Sequence, residues 1–205
     1  MQKSLIVVDD FMDNAEQIRD AALRLDYPAE PAEAYYSGRN SAQRVNLQGL
    51  TEQVCRLTGE RLEPVPGTGH GKFRLTLSGD EGRGDVHIDS QCHWSGIFYL
   101  SRPGDCRGGT EFFRHRPTGM DRVPLNDGEL RACGLNSFDD VVERIMKPDS
   151  RDRSKWDHTM TVPMKFNRLI LFRPWFWHGA GPSFGDRPDN GRLVHLLFFR
   201  HARRS

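Results

Sequence analysis

The sequence carries almost no excess charge of either sign and has no apolar segment near its start that is long enough for a membrane. The formal net charge is +1 over 205 residues, and acidic residues are interspersed among the basic ones. This balance argues against a nucleic-acid surface or an anionic-lipid surface. The apolar run at residues 5–8 is too short for a signal-peptide core or a membrane span. We therefore expect a cytoplasmic protein that binds neither nucleic acid nor membranes.

The sequence also lacks a closely spaced cysteine pair. Cys55, Cys92, Cys106 and Cys133 contain no Cys-x-x-Cys arrangement among them, which disfavours a zinc ribbon or a redox motif. We expect all four thiols to be reduced and structural. Cys106, in the polar segment RPGDCRGG, is the candidate for an exposed thiol.

Residues 1–60 predict a helical flank that follows one strand. The strand is Leu5 to Val8, and Asp13 with Glu16 three residues later has the spacing of a helix-capping box. A second helix is predicted from an apolar stripe at intervals of three and four, and Gly59 is expected to end it. The stripe consists of Leu47, Leu50, Val54 and Leu57.

Residues 70–200 predict a β-rich core, because apolar and polar residues alternate with period two from Lys72 onward. Short strands in this number indicate two facing sheets or a distorted barrel, and we expect one domain over residues 1–205. An insertion at about 120–157 contains a short helix near Phe138 to Ile145 and is expected to be a lid or a surface loop. The candidate strands are Asp85 to Asp89, Trp94 to Ser101, Thr110 to Phe113, Thr159 to Met164, Arg168 to Phe172 and Arg192 to Phe199.

The residues with the clearest chemical meaning are His87, Asp89, His178 and Arg192. In a strand, His87 and Asp89 would point to one face and Ile88 to the other. Two imidazoles and one carboxylate are the ligands that bind one face of a non-haem iron(II) ion and leave other positions open. A His-x-Asp triplet alone is common by chance, so the surrounding sequence decides its meaning.

Four segments around these residues carry a family resemblance: GDVHIDSQCHWSGIFYLS, DCRGGTEFF, NRLILFRPWFWHGAGPS and GRLVHLLFF. In this order they resemble the iron(II)/2-oxoglutarate-dependent oxygenase superfamily over about residues 70 to 200, in particular a bacterial subgroup of small proteins. The resemblance implies a mainly β fold with flanking helices, the double-stranded β-helix or jelly-roll. It also implies iron(II), 2-oxoglutarate and O₂ as cofactor and cosubstrates, and hydroxylation of an unactivated C–H bond.

The same resemblance implies roles for individual residues. His87, Asp89 and His178 would bind iron, and the presence of Asp89 argues against a halogenase, since halogenating relatives lack this carboxylate. Arg192 would bind the distal carboxylate of 2-oxoglutarate, with a hydroxyl added by Tyr99.

Two features qualify the assignment of Arg192. Apolar residues flank it on both faces of its strand, so burying its charge costs free energy unless an anion pairs with it. The alternatives to a role in binding 2-oxoglutarate are an internal acidic partner or an edge position at the strand start beside Gly191. Many superfamily members have serine two residues after the arginine, where this chain has Val194. A second donor to the carboxylate would then come from Tyr99, Thr110 or Lys72.

The substrate is less constrained by the sequence. Arg39, Arg74 and Arg116 lie in segments rich in basic and aromatic residues and are candidate contacts for an anionic small molecule or an amino-acid-like or peptide-like substrate. The alternative for each is an ordinary solvated arginine. Two other functions stay open: a non-catalytic cupin-like sensor or structural module, and a zinc hydrolase, although no His-Glu-x-x-His helix is present.

Overall fold

Apolar side chains that alternate along the strands build two facing antiparallel sheets. The computed structural model describes residues 2–31, 34–82 and 84–203. The strands within these ranges are β1 (Leu5–Val8), β2 (Arg39–Asn40), β3 (Leu62–Pro64), β4 (Phe73–Thr76), β5 (Trp94–Tyr99), β6 (Gly109–His115), β7 (Trp156–Pro163), β8 (Arg168–Phe172), β9 (His178–Gly179) and β10 (Arg192–His201).

The larger sheet is organised around β10, which is its longest strand. Its strand order is β1-β8-β5-β10-β4-β2, and β3 pairs with the C-terminal part of β10. The smaller sheet has the order β7-β6-β9. The predicted mainly β architecture with two facing sheets is confirmed, and β1 and β2 from the predicted helical flank belong to the larger sheet.

The two faces of the larger sheet have different partners, because successive side chains in a strand point to opposite sides. On β5, Trp94 and Phe98 belong to an apolar cluster with the N-terminal helices, whereas Tyr99 belongs to the cluster between the sheets. The inner cluster is closed by Phe112 of β6, whose ring meets that of Phe172 edge-on at 5.4 Å between centroids. The space between the sheets contains the cavity described below.

Two helices cover the outer face of the larger sheet: α1 (Ala15–Leu23) and α2 (Leu50–Thr58). The predicted capping box at Asp13 is wrong, since α1 follows Asn14 and no side chain caps it. The predicted end of α2 is confirmed: Gly59 adopts φ +78°, and its N–H donates to the Cys55 carbonyl. No helix in the described ranges has the length and apolar content to cross a membrane.

The insertion between β6 and β7 is a packed helical layer. It comprises α3 (Asp127–Ala132), α4 (Phe138–Val141), a π-helical turn (Val142–Met146), α5 (Lys147–Asp149) and a 3₁₀ turn (Arg153–Lys155). Val141 and Ile145 are buried in a cluster that also contains Val86 and Ile88. The expectation of a surface loop is therefore wrong, because these helices pack beneath the segment that carries the His-x-Asp triplet, and the role of a lid stays a prediction.

All four cysteines are unpaired, as predicted. The exposed thiol is Cys133, whereas Cys106 is half-buried and its Sγ–H donates to the Ser101 carbonyl at 3.4 Å. The prediction of an exposed Cys106 is wrong for this reason.

Candidate metal centre

The His-x-Asp segment reaches the site without forming the predicted strand. Asp85 to Asp89 is irregular apart from a single antiparallel bridge between His87 and His178. In this bridge the N–H of His87 donates to the His178 carbonyl at 2.9 Å, and the reverse bond is 3.0 Å. Ile88 is buried in the cluster with the insertion helices, while His87 and Asp89 line the cavity. The expected alternation of side chains is present, but its cause is one bridge and the packing of Ile88.

Three side chains that could bind a metal meet in this cavity. The donor atoms of His87, Asp89 and His178 all lie within 4.8 Å of one another. His178 Nε2 is 3.4 Å from Asp89 Oδ2, and His87 Nε2 is 3.9 Å from Asp89 Oδ1. Both histidines are buried. The donor set is therefore already converged on one point.

Backbone carbonyls set the orientation of both imidazole rings. The Nδ1 atoms of His87 and His178 lie 2.8 Å from the carbonyl oxygens of Asp85 and Phe176, respectively. Because a carbonyl oxygen only accepts, each Nδ1 carries the proton and donates. The Nε2 atoms then lie on the side that faces Asp89 and can bind a metal once they carry no proton, which is the arrangement found for metal-binding histidines.

Ser95 of β5 holds the carboxylate. Its hydroxyl donates to Asp89 Oδ2 at 2.5 Å. Burial opposes ionisation of Asp89, but the hydrogen bond and charge of His178, the charge of His87 and the Ser95 hydroxyl together lower its pKa to about 2. Burial, aided by His178, lowers the pKa of His87 to about 4. At neutral pH the site thus presents an ionised Asp89 and a neutral His87, the protonation states that metal binding requires.

Sequence reasoning missed Ser95. A signal existed, because Ser95 lies two and four residues before Ile97 and Tyr99 on β5 and so shares the inner face of the sheet with them. The pattern does not indicate that Asp89 is the hydrogen-bond partner of Ser95, because Asp89 approaches Ser95 through a reversal of the chain between the two residues.

The three side chains line an inner cavity of about 260 Å³ between the sheets. Its walls are mainly apolar, with a few polar groups directed inward, as is usual for small-molecule sites. The apolar part is formed by Ile97, Phe172, Val194, Leu196 and Phe198, and the polar part by Tyr36, Asn40, Arg74, Thr110 and Arg192 in addition to the three candidate ligands.

Arg192 contributes a buried positive charge that has no counter-ion in the part of the chain that the structure describes. The residue is 4% exposed, and its Nε has no hydrogen-bond partner. Among the described residues, its guanidinium forms no ion pair, and burial lowers its pKa. The first alternative for Arg192 is not observed in this part of the chain, since it has no internal acidic partner there. The second is observed in part: Arg192 is the first residue of β10, beside Gly191, but it is buried and pairs with Thr76 of β4.

The predicted second donors around Arg192 are placed differently from one another. Thr110 lines the inner cavity, whereas Tyr99 is fully buried behind it. The Tyr99 hydroxyl is 2.7 Å from Thr110 Oγ1 and accepts the Thr110 N–H at 3.0 Å. Lys72 does not line the cavity. The hydroxyl that reaches the cavity wall is that of Thr110, held in place by Tyr99.

The three arginines considered as substrate contacts also differ in their position relative to the cavity. Arg74 lines the inner cavity. Arg39 is exposed on β2 at the edge of the sheet, outside the cavity lining. Arg116 is exposed and pairs with Asp157 at 2.6 Å, also away from the cavity. The structure brings Arg74 to the candidate centre and leaves the other two outside it.

Comparisons with known proteins agree with this fold. A sequence profile of a family of unknown function, DUF6445, matches residues 83–199. No curated protein matches the chain. Among solved structures, SnoN, a non-haem alpha-ketoglutarate-dependent epimerase from nogalamycin biosynthesis, is similar with a TM-score of 0.57 and 14% identity, over 98% of this chain and 80% of SnoN.

Two further structures extend the comparison. HygX from Streptomyces hygroscopicus, with nickel, 2-oxoglutarate and hygromycin B bound, has a TM-score of 0.52 and 13% identity, over 98% of this chain and 84% of HygX. A prolyl hydroxylase from Trichoplax adhaerens, in complex with a peptide fragment of hypoxia inducible factor, has a TM-score of 0.51 and 12% identity, over 96% of this chain and 83% of the hydroxylase. The predicted jelly-roll fold, that of the iron/2-oxoglutarate oxygenases, is thereby confirmed.

Proposed function

We propose that this chain, which belongs to DUF6445, a family of unknown function, is an iron(II)- and 2-oxoglutarate-dependent oxygenase. One observation carries the proposal: a cluster of two histidines and one carboxylate shares a cavity with a buried arginine that has no counter-ion among the described residues. A cupin-like sensor would need the cluster but would leave Arg192 unexplained. A zinc hydrolase would leave it unexplained as well.

His87, Asp89 and His178 are the proposed iron ligands. The site fits the ion because both histidines direct Nε2 toward an ionised carboxylate that Ser95 already positions. Two imidazoles and a carboxylate suit iron(II), and three protein donors leave positions open for other ligands. The cofactor requirement is thus met by residues of this chain alone.

Arg192 is the proposed anchor of 2-oxoglutarate. A guanidinium matches a carboxylate in a two-pronged hydrogen-bonded pair, which would compensate the buried charge. The Thr110 hydroxyl, which lines the same cavity from β6 of the smaller sheet, is the proposed second donor, and Tyr99 acts as the residue that positions it. The complex of the similar protein HygX with nickel and 2-oxoglutarate supports this choice of cosubstrate.

When bound, iron(II) and 2-oxoglutarate would supply the oxidising power to insert one oxygen atom of O₂ into a C–H bond, while the other oxygen atom passes to 2-oxoglutarate as it is converted to succinate and CO₂. The chain itself contributes orientation and exclusion of water. The apolar wall of Ile97, Phe172 and Leu196 keeps the reacting region dry, which strengthens the polar contacts of Arg192. We propose hydroxylation of a small molecule or an amino-acid-like or peptide-like substrate, since HygX was solved with hygromycin B bound and the prolyl hydroxylase in complex with a peptide fragment.

The test is an anaerobic titration of the protein with iron(II), with and without 2-oxoglutarate. The proposal expects an absorption band that requires both components, from the charge transfer between them. Arg56→Gln, an exposed change on α2, serves as the control and should give the same band. Iron binding without any response to 2-oxoglutarate would favour the sensor function instead. Product mass then separates hydroxylation, a gain of one oxygen, from epimerisation, which leaves the mass unchanged.

A further inference from the structure

The inner cavity contains more positive charge than one dicarboxylate cosubstrate accounts for. Arg74 and Arg192 lie on the neighbouring strands β4 and β10, where Arg74 pairs in register with Val194. Both guanidiniums line the cavity, and the carboxylate among its lining residues is Asp89. If the proposed function holds, the charge of Asp89 is balanced at the metal centre, and the charge of Arg192 is balanced by a carboxylate of 2-oxoglutarate. Arg74 is then the cation left for another ligand.

The surroundings of Arg74 orient its guanidinium and leave its ends free. Its Nε donates to Asn40 Oδ1 at 3.0 Å, and its guanidinium carbon lies 5.0 Å from the centre of the Tyr36 ring. Within the described residues, its two terminal nitrogens have no hydrogen-bond or ion-pair partner. A planar group fixed at one edge and one face can offer its other edge to an oxyanion.

Tyr36 connects this cation to the candidate metal centre. Its ring packs on the His87 ring edge-on, with 4.8 Å between centroids, and also contacts the Arg74 guanidinium. A ligand group bound to Arg74 is therefore about one aromatic ring away from a proposed iron ligand. A substrate whose charged group binds Arg74 would thus lie in the cavity that also contains the proposed iron ligands.

Arg74 also lies where the inner cavity meets an outer one. Arg74, Tyr36 and Asn40 line both the inner cavity and a more open outer cavity of about 420 Å³, to which Glu30 and Tyr35 contribute as well. Arg192 lines the inner cavity and does not line the outer one. Because the inner cavity must also hold the cosubstrate, a substrate would extend from it into the outer cavity across Arg74.

We propose that the substrate carries a carboxylate, that Arg74 binds this group, and that the substrate's apolar part faces the wall of the inner cavity. The inference rests on the proposed function, which assigns the deeper arginine to 2-oxoglutarate. A singly charged carboxylate fits better than a dianionic phosphate, because the acidic side chain of Glu30 also lines the outer cavity with Arg74. The apolar wall opposite favours an acid with an aliphatic or aromatic chain.

The test compares carboxylic acids with their primary amides as ligands of the anaerobic protein loaded with iron(II) and saturating 2-oxoglutarate. The probes are 4-methylpentanoate, phenylacetate and N-acetylleucine, each paired with its amide, and binding is measured by calorimetry. We expect at least one acid to bind about tenfold more tightly than its amide, the typical effect of a charged hydrogen bond. If no acid binds more tightly than its amide, the inference is wrong.

Variants then assign the preference to a residue. Arg74→Gln should abolish the preference for the acid while 2-oxoglutarate affinity stays within about twofold, and Arg74→Lys should retain part of the preference, since an ammonium keeps the charge but not the planar fork. Arg56→Gln is the matched control and should behave as wild type.

Retention of the full preference in Arg74→Gln would overturn the inference, as would a large loss of 2-oxoglutarate affinity. Failure of the proposed function is distinguishable, because wild type would then show no 2-oxoglutarate-dependent band. Should Arg74→Gln not load iron, the Arg74→Lys comparison decides the question alone.

Discussion

His87 and His178 face each other across one antiparallel bridge, and each donates its backbone N–H to the carbonyl of the other. Their rings lie 4.4 Å apart between centroids. The bridge uses only backbone atoms, so it sets the relative position of the two side chains whatever those side chains are. The convergence of two proposed ligands that are distant in sequence thus depends on two hydrogen bonds and not on a long strand.

Replacing any proposed ligand should remove iron binding and preserve the fold. We expect His87→Ala, Asp89→Ala and His178→Ala each to lose iron and all 2-oxoglutarate turnover, because two protein donors hold the ion poorly. The backbone bridge survives each change. Metal content after anaerobic reconstitution, together with the circular dichroism spectrum, measures both expectations. Wild-type iron affinity in any of the three variants would remove that residue from the proposed ligand set.

Arg192→Leu should separate cosubstrate binding from metal binding. Iron affinity should stay nearly unchanged, while 2-oxoglutarate binding should weaken by roughly 2 to 5 kcal/mol, the usual loss when one partner of a buried charged pair is removed. Arg192→Lys should recover only part of this loss. Calorimetric titration of the iron-loaded variants measures the difference. An unchanged affinity in Arg192→Leu would transfer the anchor to Arg74, the other arginine of the cavity.

The ligand-free protein should become more stable when Arg192 is replaced by methionine. A buried guanidinium without a counter-ion is costly, and apolar replacements of buried ionic groups can gain about 1 to 4 kcal/mol. Urea unfolding of the metal-free proteins should therefore show a higher free energy of unfolding for Arg192→Met. Adding iron(II) and 2-oxoglutarate should then stabilise the wild type more than the variant. A less stable variant would reveal a counter-charge for Arg192 in the ligand-free protein.

Ser95→Ala should weaken iron binding without removing a ligand. Loss of a hydrogen bond that orients a metal ligand typically lowers metal affinity about 10- to 100-fold. Ser101→Ala is a suitable control, because Ser101 is also a buried serine near the end of β5, but it donates to the Gly191 carbonyl and not to a proposed ligand. Competition with a chromophoric chelator measures both affinities. Equal losses in the two variants would indicate a general effect on the sheet.

Ser150→Ala should show that the insertion supports the site. The buried Ser150 hydroxyl accepts the Asp85 N–H at 3.0 Å and donates to the Val86 carbonyl at 2.8 Å, directly before His87. Removing it leaves two backbone groups without this partner, at about 1 to 3 kcal/mol for a buried unsatisfied group. Ser154→Ala, at an exposed serine of the insertion, should cost little. An unchanged unfolding free energy for Ser150→Ala would contradict a supporting role.

Properties that depend on neighbouring residues in the chain could be predicted from the sequence. Short apolar runs place β8 and β10, and Gly59 marks the end of α2, because both signals come from residues that are close together in the chain. The pattern also shows that Arg192 lies on a strand with apolar neighbours on both faces. The chemical types of the proposed ligands and their order come from the sequence as well.

Tertiary structure alone decided which residues meet. The alternation around His87 predicts a strand, but a strand needs a partner along its length, and among the described residues this segment forms a single bridge, to His178. Arg74 and Arg116 are the same residue type in similarly basic segments, yet one lines the cavity and the other pairs with Asp157 at the surface. Contacts such as that of Ser95 with Asp89 depend on how distant segments pack in three dimensions. Local spacing carries no information about that packing.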